Sequence, residues 1–403
     1  MARATTTASP VRRASTRTSS SAKKEIDAEQ PAASPSAPNK SKRKAADPTS
    51  AADPKQSGTD ATAEASAAAA AAPTKKPRKK AVADSDSPSA PKSEDTLADP
   101  GLPKNTEMPA TLSYARPAAP ESVRITAWNI TSLKSSEPKG MMRYIQAEDA
   151  HIVVLSETKV NDVPMHPALS KIYKHQYWGI GKQKGYAGLA ILSKIEPIKA
   201  TYGLPGLSDQ DTKGRIKFEN TYLVGTYAVN AGDGLKPRTA PLTFPCHLGC
   251  SRAIKTMATK QAWNTAFAAY LAELDAKKPV VWCGDFNVVQ DERDLAAASK
   301  KWNKSPGYTA IECDAHRALL DGSATPSSQP LVDVWRAKHP DAVGHYTFYG
   351  WRGFCRSKGI GWRLDSFILS QRIADKALEC EIRHECYGAS DHVPIYCDIQ
   401  GPL

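Results

Sequence analysis

Residues 124–158 open with RITAWNI (Arg124–Ile130), pass through MMRYIQAEDA (Met141–Ala150) and close on HIVVLSET (His151–Thr158). The outer runs are short and β-rich and the middle one is amphipathic, which sets a strand, helix, strand rhythm. The rhythm continues downstream. Strands are expected at GLAILSK (Gly188–Lys194), RIKFE (Arg215–Glu219), TYLVGTYAV (Thr221–Val229), PVVWCGDFNV (Pro279–Val288), WRLDSFIL (Trp362–Leu369) and VPIYCDI (Val393–Ile399), with a turn at Glu219 and Asn220 joining two of them as a hairpin. A helix is expected from Thr256 to Ala276, where Trp263, Phe267, Tyr270 and Leu274 recur at helical spacing and Pro279 follows the end. That aromatic stripe reads as core. So many strands mixed with helices predict an α/β domain of two packed mixed β-sheets flanked by helices, a four-layer sandwich, over residues 121–403.

Upstream the pattern disappears. Residues 1–110 contain no Phe, Trp or Tyr and cannot bury enough apolar surface to offset the entropy of ordering, so residues 1–120 are expected to form a disordered basic tail. It carries KSKRK (Lys40–Lys44) and KKPRKK (Lys75–Lys80), which match nuclear-import patches and imply import factors as partners. Arg3, Arg12, Arg13 and Arg17 precede the first acid, the pattern of a mitochondrial presequence, but their apolar face is poor. The nucleus is therefore the expected compartment, with a mitochondrial pool as the second reading.

The net charge of +12 divides evenly, +6 through residue 120 and +6 from residue 121 onward. A basic folded domain suits a polyanion, although solubility alone would explain the balance. No apolar run approaches a membrane span, and no secretory leader is visible. All eight cysteines lie beyond residue 240, where reduced thiols are the expectation.

Several expected strands end in residues a core would not choose: Asn129 after RITAW, Glu157 after HIVVLS, Asp285 and Asn287 after PVVWCG. Any one alone reads as a cap or a solvated acid. Together they form a chemistry. Glu157 and Asn129 offer hard oxygen ligands that suit Mg²⁺, with Mn²⁺ as a substitute, rather than zinc. Asp285 and Asn287 share a face by strand alternation, so that one can act on water while the other donates to a phosphate oxygen. In SDH (Ser390–His392), His392 would take its orientation from Asp365 in WRLD. It would serve either as an imidazolium against a phosphate or as a neutral base.

WNITSL, LSETK, TYAVNAG, GDFNVV, TFYGWRGFCRSKGIGWRLD and SDHVPI, in this order, resemble the exonuclease III type of apurinic/apyrimidinic endonuclease, within the endonuclease, exonuclease and phosphatase superfamily. The resemblance implies that Asn129, Glu157 and Asp391 lie at the metal. It implies that Tyr227 and Asn230 order the phosphate, that Asp285 and Asn287 act on water and phosphate, and that Asp365 orients His392. It also implies that Phe348, Trp362 and Leu364 line an apolar slot for a flipped-out sugar without a base. Arg356, Lys358 and Arg363 would contact the DNA backbone.

This sequence departs from its relatives at three places. Thr131 stands where they carry Asp or Asn, Asp233 stands where animal members place an arginine, and about residues 236–260, with CHLGC at Cys246–Cys250, read as an insertion. A zinc site from Cys246, His247 and Cys250 lacks a fourth ligand. The expected activity is hydrolysis of the phosphodiester 5′ to an abasic site in double-stranded DNA by a monomer, leaving a 3′-hydroxyl, with 3′-end trimming. The alternatives are a phosphatase or sphingomyelinase of the same superfamily and an inactive DNA-binding scaffold.

Overall fold

Among the described residues, the computed structural model arranges twelve strands in two sheets: β1 (Ser122–Asn129), β2 (Ile152–Ser156), β3 (His175–Gly179), β4 (Leu189–Ser193), β5 (Lys199–Tyr202), β6 (Gly214–Lys217), β7 (Tyr222–Tyr227), β8 (Val280–Asp285), β9 (Leu331–Asp333), β10 (Asp365–Ser370), β11 (Ala377–Ile382) and β12 (Ile395–Gln400). The structure describes residues 100–116, 119–181, 183–205, 214–217, 220–228, 230–232 and 249–403. The two import-like clusters, Glu219, Asp233, Cys246, His247 and residues 236–248 of the expected insertion lie outside them.

One sheet runs β11-β12-β1-β2-β4-β3 and the other β5-β6-β7-β8-β10-β9. Each has a parallel pair at its centre, β1 with β2 and β7 with β8, flanked by antiparallel neighbours. Ile125, Ala127, Val154, Ile191, Val281, Cys283, Phe367 and Cys397 fill the space between the sheets. The outer face of the first sheet takes the helix Met141–Glu148, whose Tyr144 ring meets Trp128 edge-on at 5.2 Å. The outer face of the second takes the helix Gly249–Lys277, whose Phe267 meets Trp282 at 4.9 Å and stacks on Trp263 at 4.7 Å. The four-layer architecture and the aromatic core stripe of this helix are those the sequence predicts.

Four strands have no counterpart in the sequence reading: β3, β5, β9 and β11. They are the four sheet edges. An edge strand buries only part of its length, as in the exposed ends of β5 and the exposed Leu378 and Glu379 of β11, so it lacks the continuous apolar run that marks the inner strands. The hairpin of β6 and β7 forms as expected, with Lys217 opposite Tyr222. The long helix begins at Gly249 instead of Thr256, so its first turns belong to the segment read as an insertion. The helix Ala310–Asp321 was not foreseen, although Thr309 and Glu312 spell a capping box: the Glu312 N–H donates to the Thr309 hydroxyl at 3.3 Å.

Residues 100–116, grouped with the tail by composition, pack onto the sheets. Met108 is buried beside Trp128 and Met141, and Tyr114 donates to Glu385 at 2.7 Å beneath the Arg383 guanidinium. Among the described residues six cysteines are free thiols, and no helix is long and apolar enough to cross a membrane.

Candidate active site

The topology collects strand ends at one edge of the sandwich. β1 and β2 run parallel and finish at Asn129 and Ser156, just before Glu157, while β7 and β8 run parallel and finish at the paired Tyr227 and Asp285. β10 runs the other way and starts at Asp365, directly opposite Asp285. His392 lies three residues before β12, whose Ile395 pairs with Ala127. Backbone groups leave the ladders here, so side chains can converge on one point. The chain turns through left-handed conformations at Thr131 (φ 58°), Glu157 (φ 53°) and Asn287 (φ 48°), which non-glycine residues adopt at a cost and which gather at functional sites.

Asn129 is the hub. Its Nδ2 donates to Asp285 Oδ2 at 2.9 Å and Glu157 Oε1 at 3.1 Å and lies 3.4 Å from His392 Nε2. His392 Nδ1 meets Asp365 Oδ2 at 2.7 Å, and its Nε2 stands 3.9 Å from Asp285 Oδ2. Asp285 Oδ1 accepts from the Asn287 N–H at 2.9 Å, and Asn287 Nδ2 donates to the Ala228 carbonyl at 3.0 Å and Asp285 Oδ2 at 3.3 Å. Asn230 closes the group by donating to Asn287 Oδ1 at 2.9 Å. Asn129, Asp285, Asn287, Asp365 and His392 are all buried. The sequence argument for Asp285 and Asn287 needs one correction: β8 ends at Asp285, and the left-handed turn at Asn287, not strand alternation, brings the two together.

Thr347 was missed by the sequence reading. Its hydroxyl accepts from the Leu364 and Asp365 N–H groups at 2.9 and 3.1 Å, and its carbonyl accepts from Val393 N–H at 2.8 Å, so one buried residue ties the Asp365 segment to the His392 segment. Ser390 does similar work, donating to the Asn129 carbonyl at 2.7 Å while its oxygen accepts from the His392 N–H at 3.2 Å.

These contacts push protonation in opposite directions. Burial raises the Asp285 carboxyl to about 7, helped by the neighbouring Asp365 charge and opposed by His392 and the Asn129 and Asn287 donors. Burial alone would lower His392, but the carboxylates of Asp365, Asp285 and Asp391 outweigh it and lift the imidazole to about 10. At neutral pH His392 is thus an imidazolium and Asp285 is poised between its two forms. Burial likewise works to raise Glu157, yet the Lys159 ammonium at 2.8 Å and the Asn129 amide hold it below the usual carboxylate range. Tyr227, raised by burial and by the Glu157 charge, stays a phenol that donates to Glu157.

Of the residues assigned to an abasic-sugar slot, the Phe348 ring lies 4.9 Å from the His392 ring and its backbone pairs with both His392 and Trp362. Trp362 is half-buried under the Lys301 ammonium, whereas Leu364 sits in the outer core, its carbonyl accepting from Phe286 N–H at 2.9 Å. Two of the three basic residues assigned to DNA contact are turned inward. Arg363 is 3% exposed and forks onto Asp294 at 2.7 and 2.9 Å and Asp333 at 2.8 Å. Arg356 is 2% exposed, stacked on Tyr349 and Tyr387 and bonded to Asn105 and the His384 carbonyl. A guanidinium committed this way cannot reach a phosphate, so the DNA-contact reading is corrected for both. Lys358 is exposed, on a loop that also exposes Trp351 and Phe354.

The ligand atoms of Asp285, Asp365 and His392 lie within 4.8 Å of one another, close enough to hold a metal ion, although Asp365 and His392 spend theirs on each other. The expected ligands form a second group. Glu157 is ionised and already holds one cation, the Lys159 ammonium; Thr131 joins the other two, its N–H donating to Asn129 Oδ1 at 2.9 Å and its hydroxyl to Asp391 Oδ1 at 2.7 Å. Oxygen donors at an ionised carboxylate fit a hard divalent cation.

Comparison with known proteins identifies the family. The Endonuclease/Exonuclease/phosphatase family pattern matches residues 126–392. The chain is 32% identical over 314 residues to the DNA repair nuclease APEX1 of Danio rerio, covering 76% of this chain and 92% of that one. It is 31% identical over 279 residues to an exodeoxyribonuclease of Bacillus subtilis, covering 68% and 98%. The fold matches an AP endonuclease from Archaeoglobus fulgidus with a TM-score of 0.56 and 24% identity, over 69% of this chain and all of that one. From the strand-end constellation and these likenesses together, the chain belongs to the Endonuclease/Exonuclease/phosphatase family, a metal-dependent family, in the branch of the exonuclease III type apurinic/apyrimidinic endonucleases.

Proposed function

We propose that the chain hydrolyses the DNA phosphodiester on the 5′ side of an abasic site, leaving a 3′-hydroxyl, and trims blocked 3′ ends as a second activity. The observation that carries this reading is the buried group in which Asp285 faces Asn129 at 2.9 Å and an Asp365-bound His392 at 3.9 Å. An acid raised to about 7 by burial can take a proton from water, while an imidazolium held by a carboxylate can only donate. Of the two roles open to His392 from sequence, its geometry and charge favour the donor.

The water oxygen attacks phosphorus and passes its proton to Asp285. His392 Nε2 supplies a fixed donor where negative charge grows on the phosphate oxygens, while the amides of Asn287 and Asn129 spend their hydrogens holding Asp285 and its neighbours in place. The bond to the 3′ oxygen breaks, and that oxygen takes up a proton to become the 3′-hydroxyl. Glu157, Asn129 and Asp391 would hold Mg²⁺, with Mn²⁺ as a substitute, and the ion would neutralise phosphate charge. Phe348, against the His392 ring, and Trp362, paired with Phe348 through the backbone, favour a flipped-out sugar that lacks a base. Names of relatives, a DNA repair nuclease and a DNA-(apurinic or apyrimidinic site) endonuclease, support DNA as the substrate. The import-like clusters support work in the nucleus.

The reading is tested by incubating the protein and Mg²⁺ with a labelled duplex carrying one abasic site, and with the same duplex intact. Cleavage of the first alone, 5′ to the lesion, is expected. Equal cleavage of both, or release of phosphate from a phosphoinositide but no DNA cleavage, would overturn it.

A further inference from the structure

Behind the turn that carries Asp285 and Asn287, the fold buries a charge that the chemistry above leaves unused. Lys260, on the helix Gly249–Lys277, is 3% exposed. Its Nζ donates to the Asn287 carbonyl at 2.8 Å and pairs with Glu312 Oε1 at 3.1 Å. Glu312 is equally buried, and its other oxygen accepts from the Gly307 N–H at 2.8 Å and the Thr309 hydroxyl at 2.7 Å. The Gly307 carbonyl accepts from Val289 N–H at 3.0 Å, and Gly307 (φ +82°) approaches so closely that a Cβ there would lie 3.0 Å from the Asn287 carbonyl oxygen. A single ion pair therefore grips the Asn287 turn from both sides.

Core filling does not explain it. Trp263, Trp282, Phe286 and Leu319 line the same region around a cavity of about 20 Å³, where an apolar side chain at 260 would pack without the cost of burying an ammonium. The cation serves two buried groups at once, the Glu312 carboxylate and the carbonyl of a left-handed asparagine whose amide aligns Asp285.

We propose that Lys260 and Glu312 are positioning residues: together they hold Asn287, and through it Asp285, in the geometry that hydrolysis requires. This rests on the function proposed above. Misplacement of a reacting group by about 1 Å can cost on the order of a hundredfold in rate, and a loss of that order is expected in kcat for Lys260→Met, with KM nearly unchanged.

The test is steady-state cleavage of the abasic duplex with Mg²⁺ by the wild-type full chain, Lys260→Met, Lys260→Arg, Glu312→Gln, Asn287→Ala and the Lys260→Met/Asn287→Ala double variant. The proposal expects the loss to fall on kcat, Lys260→Arg to recover most of it, and the double variant to be no slower than Asn287→Ala, because Lys260 acts through Asn287. If Lys260→Met does not fold, Glu312→Gln must show the same kcat-weighted loss. Wild-type kcat in a folded Lys260→Met, or additive losses in the double variant, would overturn the clamp while leaving the function intact. A wild type that does not cut the abasic duplex would overturn both.

Discussion

His392 Nδ1 lies 2.7 Å from Asp365 Oδ2, and Asp365 stands directly opposite Asp285 in the pairing of β10 with β8. That register sets the two carboxylates side by side, and His392, from the segment before β12 of the other sheet, reaches both. Asp365→Asn removes the charge that does most to lift His392 and should cost about a hundredfold or more in kcat, the range typical of a lost general acid–base partner. The fold should survive, since the carboxamide can still bond the ring. Comparing kcat with the melting temperature checks this; a slow enzyme that has also unfolded would not count as support.

The pH profile follows from the same pair. Asp285 must lose its proton to act on water, so the rate should climb as pH passes about 7, and it should fall as His392 loses its proton near 10. In Asp365→Asn the imidazole loses its main support against desolvation, so the alkaline limb should move to lower pH. A profile without an acid limb near neutrality would remove Asp285 from the role of base.

Arg363 and Lys358 should separate stability from DNA binding. Removing Arg363 leaves Asp294 and Asp333 short of a buried partner; Arg363→Met should cost roughly 3 kcal/mol in denaturant unfolding. Asp294 is held below its ordinary value, against the burial that would raise it, by Arg363 and then Arg336. A depressed carboxylate stabilises above its unfolded pKa and loses that contribution as pH falls through the folded one, so the variant should begin acid unfolding at higher pH. Exposed Lys358→Ala should leave stability alone and reduce the salt slope of DNA binding by about one, while Asp233→Arg should steepen it by about one. An unchanged salt slope for either variant would place that residue off the DNA path.

The residues that converge at the proposed site are legible because most are polar side chains at or just beyond the end of an otherwise apolar strand, and their motifs occur in order along the chain. Arg356 and Arg363 were misread for a related reason. A basic run among glycines looks like an exposed loop, and only the fold brings Asp294, some 70 residues away, under Arg363 or Asn105 under Arg356. Lys260 and Glu312 were hidden in the same way, each an ordinary helix residue until its partner is known. The segment 100–116 escaped because composition averages over the few residues, Met108 and Tyr114 among them, that dock it.

That segment yields another prediction. Deleting residues 1–99 should spare catalysis and stability and reduce nuclear uptake, whereas deleting 1–116 strips Met108 from the core and Asn105 from Arg356. Burial of one large apolar side chain is worth about 1.5–3 kcal/mol, so the shorter chain should melt earlier by a plainly measurable margin. Equal melting of the two truncations would show that the segment contributes nothing.

The central claim, that this strand-end group cuts DNA beside abasic sites with a divalent metal, is tested most directly by single-turnover cleavage of an abasic duplex with and without Mg²⁺. The assay compares the wild type with Glu157→Gln and Asp285→Ala. Metal-dependent incision by the wild type and losses of orders of magnitude in both variants are expected. Wild-type rates in either folded variant at matched Mg²⁺ would contradict it.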